Sequence, residues 1–189
     1  AREAGRAAVE ALQPDHRDCL IAVTASGQTA YPLAAADAAR KAGASSIGIA
    51  NNTGAVLFER VDVGICLATP PEVIAGSTRM GAGTAQKIAL NMLSTLMAIR
   101  LGHVHDGYMV NVVADNEKLR GRARDMVSAV AGVDAGKAGA ALDASGGAVK
   151  PAILLARGVP TLSAAEALLA AHDGHIRPAI AGLPDPKTG

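Results

Sequence analysis

The chain has 189 residues, a formal net charge of +1 and basic residues scattered along its length. That length suits one domain with a helical appendage and a sizeable core, and the lack of a basic stripe or aromatic-rich surface argues against a nucleic-acid partner. Half of the residues are hydrophobic but only three are aromatic (two Tyr, one Phe), so the core is expected to be built from Ala, Val, Ile, Leu and Met.

Residues 1 to 12 read as a helix already in progress, and the first residue is Ala1 rather than Met. We therefore expect a piece of a longer protein. "CLIAV" (Cys19 to Val23) is a continuous apolar run, which predicts a strand buried on both faces. "TASGQT" follows, then a helix from about Tyr31 to Lys41 that stops at Gly43. "SSIGIA" (Ser45 to Ala50) is a second buried strand, closed by the turn-like "NNTG". Residues 55 to 60 hold only a turn or two of helix. "VDVGICLA" (Val61 to Ala68) is a third strand, ending at Thr69, Pro70 and Pro71. This order predicts an α/β fold with a parallel sheet, crossover helices and helices on both faces. Cys19 and Cys66, each inside an apolar run, are expected to be buried, reduced thiols of a cytoplasmic protein.

From Ser77 onward the pattern is helical. Ile88, Met92, Leu93, Leu96 and Met97 recur at helical spacing, with Lys87, Asn91, Ser94 and Thr95 on another side. This segment is amphipathic, not membrane-spanning, and Gly102 ends it. "YMVNVV" (Tyr108 to Val113) offers a further strand. Helices are predicted near Glu117 to Ala131, Ala135 to Ala144, Lys150 to Arg157 and Ser163 to His172. The tail "GLPDPKTG" is expected to be disordered. The expected organisation is a sheet domain over 1–112, a helical segment over 113–180 and a tail over 181–189.

Two turns carry candidate chemistry. "ASGQT" lies between a strand and a helix, where parallel sheets place ligands at the carboxyl ends of their strands. Ser26 and Thr29 supply hydroxyls, Gly27 permits close backbone approach, and a helix start favours an anion. An ordinary capped turn accounts for the same residues equally well. "PPEVIAGSTRMGAGTAQK" (Pro70 to Lys87) should lie on the same edge. Ser77 and Thr78 exceed what one cap needs, and Arg79 follows at once. Gly81 and Gly83 each weaken a helix by roughly 1 kcal/mol relative to Ala, which points to close approach by a ligand or another backbone. Together the two turns, with Arg79 and Lys87 nearby, suit a phosphate. Glu72 reads equally as a ligand for sugar hydroxyls or as a residue that caps or supports the loop. His103 and His105 have His-x-His spacing but no accompanying ligand cluster, so they read as a solvated loop rather than a metal site. His172 and His175 read as structural residues at a helix end.

The run "PEVIAGSTRMGAGTAQKIALNMLST" closely resembles the signature of N-acetylmuramic acid 6-phosphate etherases, which glucokinase regulatory proteins share. "SGQTAY", "MVNVVADNEKL" and "GHIRPAI" resemble further motifs of that family, in order, from about Arg2 to Ile180. The resemblance implies a SIS-type (sugar isomerase) domain, a three-layer α/β sandwich with a small helical segment after it, typically in a homodimer. It implies a lyase that removes D-lactate from the sugar phosphate by elimination and then adds water, giving N-acetylglucosamine 6-phosphate without metal or organic cofactor. The implied substrate-binding set is Ser26, Gly27, Thr29, Glu72, Ser77, Thr78, Arg79 and Lys87. No membrane or nucleic-acid partner is implied. The family's acid and base glutamates match positions upstream of Ala1, so no catalytic residue is assigned, and Glu3 and Glu10 match neither. Gln28 stands where the family has arginine, Gly81 where it has lysine, and Pro70 where it has glycine. These departures leave two alternatives open: a non-catalytic sugar-phosphate-binding regulatory module and, third, an aldose–ketose isomerase.

Overall fold

A computed structural model describes residues 1–184; residues 185–189 of the expected tail lie outside it. The chain divides into two compact units, Ala1–Met92 and Leu93–Gly189.

In the first unit, α1 (Arg2–Glu10) and α2 (Ala30–Lys41) pack closely together. The intimacy has a local cause: a side chain on Gly5 would meet the Tyr31 carbonyl oxygen at 2.4 Å, so only glycine lets the helices approach this closely. Three parallel strands, β1 (Cys19–Val23), β2 (Ser45–Ala50) and β3 (Val63–Cys66), form a sheet in the order β1-β2-β3, with Ala22 opposite Gly48 and Ile49 opposite Ile65. A 3₁₀ turn over Val56–Arg60 joins β2 to β3. The unit is thus α/β with a parallel sheet, as the strand–helix alternation predicts.

The strand side chains divide by parity, as a two-residue period requires. Leu20 and Ala22 face α1 and α2, where Ala22, Leu33, Ala36 and Leu57 form a buried cluster. On the opposite face Ile21 is 36% exposed and Val63 52% exposed. The expectation that β1 is buried on both faces is therefore corrected: the side facing α1 and α2 is covered, and the other side, like that of β3, is partly open. The thiols are corrected with it. Cys19 opens β1 and Cys66 closes β3, and both are exposed and free.

The long helix α3 (Gly81–Arg100) begins in the first unit and ends in the second. Its apolar stripe is present but uncovered: Ile88 is 55% and Met92 59% exposed, and Ala82 is its one buried residue among those described. Among the described residues no helix is long and apolar enough to cross a membrane.

The second unit opens with a hairpin, β4 (Val104–His105) paired antiparallel with β5 (Tyr108–Met109). Asp106 and Gly107 both adopt positive φ, 46° and 83°, as an Asp-Gly hairpin turn demands. Only Tyr108 and Met109 of the predicted strand are strand; Val113 makes a single bridge to Ala148. Helices α4 (Glu117–Ala131), α5 (Ala135–Ala144), α6 (Val149–Ala156), α7 (Leu162–Ala170) and α8 (Ile176–Ile180) follow. Three have side-chain caps: Asn116 accepts from the Leu119 N–H, Asp134 from those of Gly136 and Lys137, and Thr161 from that of Ala164. Gly132, left-handed at φ 71°, stops α4. The core centres on α6, whose Val149, Ile153 and Leu154 are wholly buried beside Val127 and Leu142. The start of the expected tail is ordered, since Ala181 and Leu183 donate backbone hydrogen bonds to Pro178 and Ile180.

Candidate functional site

The carboxyl ends of the three parallel strands converge on a cleft of about 410 Å³ in the first unit. It is lined by the turn after β1 (Ala25, Ser26), the turn after β2 (Asn51, Asn52), the loop after β3 (Thr69 to Glu72, then Ala75, Gly76, Thr78), and Ala82 of α3. This is where an open parallel sheet presents its strand-end loops to a ligand. Both turns singled out in the sequence thus meet at one site.

In the first turn, Gly27 has φ 71° and is buried, and a methyl group there would fall 2.2 Å from the Ala55 Cβ. Its glycine is required by packing against the next loop, and its carbonyl accepts from the Leu57 N–H at 3.1 Å. Ser26 is exposed at the cleft, with its Oγ 3.2 Å from the Gln28 N–H that it accepts from. Thr29 does not line the cleft. Its hydroxyl bonds the buried Thr24 hydroxyl at 2.7 Å, tying the end of β1 to the start of α2.

In the second, Glu72 carries the architecture. Both carboxylate oxygens accept from the Gly81 N–H (3.0 and 3.1 Å), and Oε1 also accepts from the Ala82 N–H (3.0 Å). These are amides that a helix start leaves without an internal partner. The bonds to Gly81 first, then Ala82, hold the Glu72 carboxyl below the usual carboxylate range. A carboxylate nine residues upstream therefore caps α3, the second of its two readings from sequence, and neither Ser77 nor Thr78 takes that place. Ser77 Oγ instead accepts from Arg79 Nε at 3.0 Å, and Arg79 is exposed.

The two glycines of this run differ. The Gly83 N–H donates to the Thr78 carbonyl at 2.9 Å, and a side chain on Gly83 would stand 3.3 Å from that same oxygen. Close approach is real there, and the partner is backbone. A side chain on Gly81 would meet nothing nearer than Glu72 Oε1 at 3.5 Å, so packing does not demand that glycine.

Of the eight predicted residues, Ser26, Glu72 and Thr78 line the cleft, and Gly27, Thr29, Ser77, Arg79 and Lys87 do not. Among the described residues none of the lining side chains is cationic, and Lys87 is exposed on α3. Sequence reasoning missed Asn51, which is 7% exposed. Its Nδ2 donates to the Leu67 carbonyl at 2.9 Å and its Oδ1 accepts from Gln86 Nε2 at 2.7 Å. One buried amide thus ties the ends of β2 and β3 to the first turns of α3. The signal was a polar residue directly after a buried strand. Among the described residues no three His, Cys, Asp or Glu side chains converge as a metal would need. The predicted solvated histidine loop is corrected, since His105 belongs to β4 and is buried.

Residues 9–96 match the SIS domain family. The chain is 49% identical to the N-acetylmuramic acid 6-phosphate etherase of Deinococcus radiodurans over 92% of its own length and 57% of the relative's. It is 44% identical to the etherase of Streptomyces avermitilis (88% and 54%) and 47% identical to that of Symbiobacterium thermophilum (81% and 51%). The chain spans little more than half the length of these curated relatives. Over most of its own length the chain is thus a partial match to N-acetylmuramic acid 6-phosphate etherases, with a SIS domain match at residues 9–96.

Proposed function

We propose that this chain supplies the sugar-phosphate-holding part of an etherase that cleaves the D-lactyl ether of N-acetylmuramic acid 6-phosphate, giving N-acetylglucosamine 6-phosphate and D-lactate in cell-wall sugar recycling. The observation that carries this reading is the cleft at the strand ends, whose lining includes Ser26, Asn52 and Thr78 inside the SIS region. Neutral donors suit a phosphate dianion through hydrogen bonds, and Arg79, one residue beyond Thr78, supplies the countercharge by releasing Ser77 and turning inward. Glu72, its charge spent on α3, supports the loop. In the proposed reaction one group takes the C2 proton of the ring-opened sugar while another protonates the departing ether oxygen, and water then adds. Neither role is given to a residue of this chain.

We further propose a homodimer in the cytoplasm, supported by the uncovered apolar stripe of α3 and by two free thiols. A second reading, a non-catalytic sugar-phosphate sensor, is favoured by the absence of a cation among the described lining residues and by Gln28 and Gly81 at positions where the family motif is charged. Incubating a protein that contains this chain with N-acetylmuramic acid 6-phosphate and assaying D-lactate separates the two. Release supports the lyase; binding without release supports the sensor.

A further inference from the structure

The second unit holds a cavity of its own, about 590 Å³, between the end of α3, the β4–β5 hairpin and α8. Its polar lining is Arg100, His105, Asp106, His175 and Arg177. Two guanidinium groups face one carboxylate there, so the fixed charge is positive before either imidazole is counted. Arg177 Nη2 donates to Asp106 Oδ1 at 2.5 Å, which holds that guanidinium at the mouth. Arg100 is exposed, and among the described residues it has no ion-pair or hydrogen-bond partner. The C-terminal dipole of α3 accounts for one cation at that helix end, but not for a second arginine and two histidines brought in from other elements.

His105 gives an independent sign. It is 7% exposed, yet among the described residues neither ring nitrogen makes a hydrogen bond. Its nearest carboxylate oxygen, on Asp106, is 3.5 Å away, beyond hydrogen-bond length. The ring is mostly buried while its nitrogens keep contact with solvent, so they remain open to a small ligand. Burial chiefly lowers its pKa, with Asp106 opposing and Arg177 adding to that effect, so near neutral pH the uncharged ring keeps one N–H to offer. Val104 and Ile176 add apolar wall, which lowers the local dielectric and strengthens any charged contact made inside. The volume falls within the ~300–1,000 Å³ of small-molecule sites.

We propose that this cavity is a second oxyanion site, taking the phosphate or carboxylate head of a small metabolite between Arg100, Arg177 and His105, with the body of the ligand against the apolar wall. The site lies wholly within the second unit and is independent of the strand-end cleft.

Inorganic phosphate and acetate serve as separate probes, because either head group presents the same oxygens. Each is titrated into the chain while the side-chain resonances of its five histidines are followed by ¹H–¹⁵N correlation. Saturable shifts of His105 and His175, with His16 unmoved, are expected for at least one probe, and the tighter one identifies the head group. Arg100→Gln should weaken that binding at least about tenfold, the loss expected for one charge-assisted hydrogen bond, and Arg100→Lys should restore part of it. Arg100 is exposed, so neither variant threatens the fold. Ser26→Ala should leave the His105 response unchanged, which separates this site from phosphate held in the cleft. Unsaturable shifts with both probes, an equal response to chloride, or an unaltered response in Arg100→Gln would each overturn the proposal.

Discussion

Replacing Gly27 with alanine tests how the fold holds its first ligand turn. The substitution asks a residue with a Cβ to adopt φ 71°, which costs about 1–2 kcal/mol for an L-residue. The new methyl would fall 2.2 Å from the Ala55 Cβ and 2.8 Å from its Cα, where carbon atoms rest at about 3.5–4.0 Å. Ala55 must therefore retreat by more than an ångström. It is buried and precedes the 3₁₀ turn, whose Leu57 N–H bonds the Gly27 carbonyl and whose Leu57 side chain is wholly buried. The displacement thus reaches the core, and overpacking of this kind costs about 1–3 kcal/mol. The sum, about 2–5 kcal/mol, is a large share of the ~5–15 kcal/mol that holds a typical domain together. Native-state hydrogen exchange of the β1 and β2 amides reports on the first unit alone and should show that loss. Gly54→Ala, where a methyl meets nothing within 4 Å, should stay within about 0.5 kcal/mol of the parent. A loss below about 1 kcal/mol in Gly27→Ala would refute the argument from close approach.

Other consequences follow from the same geometry. Asn51→Ala removes the partner of both Gln86 and the Leu67 carbonyl; it should cost about 1–3 kcal/mol by chemical denaturation and loosen the Thr69–Glu72 loop. Glu72→Gln should speed amide exchange at Gly81 and Ala82 but not in the middle of α3. Because the folded pKa of Glu72 is depressed, its stabilisation is present above about pH 4.3 and is lost as pH falls through the folded value. His105 also has a depressed pKa, and for a base that means the unfolded chain binds the proton first. Its contribution is present above about pH 6.5 and is lost as pH falls below it, so the denaturation midpoint should drop between pH 7.5 and 5.5, and less in His105→Leu.

The sequence made the element order readable because its punctuation is strong. Apolar runs set β1 and β2 to the residue, and α4 and α5 lie as predicted between Asn116, Gly132 and Asp134. Burial was less readable, because it depends on what lies across space. An apolar run cannot say whether both faces of its strand are covered, so Cys19, Ile21 and Cys66 read as core and are exposed. A helical stripe cannot say whether anything covers it, and on α3 the described residues leave it open. At the cleft, residue type pointed to Ser26 and Thr78, but the roles of Glu72 and Asn51 arise from contacts 9 and 35 residues apart in sequence. The Asp106-Gly107 turn is a legible hairpin signal and β5 opens the strand predicted over Tyr108 to Val113, but its partner, Val104–His105, is too short to show as a run of its own.

The central claim is that the strand-end cleft holds a phosphorylated amino sugar. Titrating N-acetylmuramic acid 6-phosphate into the isotopically labelled chain and mapping backbone amide shifts tests it directly. Saturable shifts are expected on residues 25–29, 51–52 and 69–82, with affinity reduced in both Ser26→Ala and Arg79→Ala. Saturation without shifts in those segments, or unchanged affinity in both variants, would contradict it.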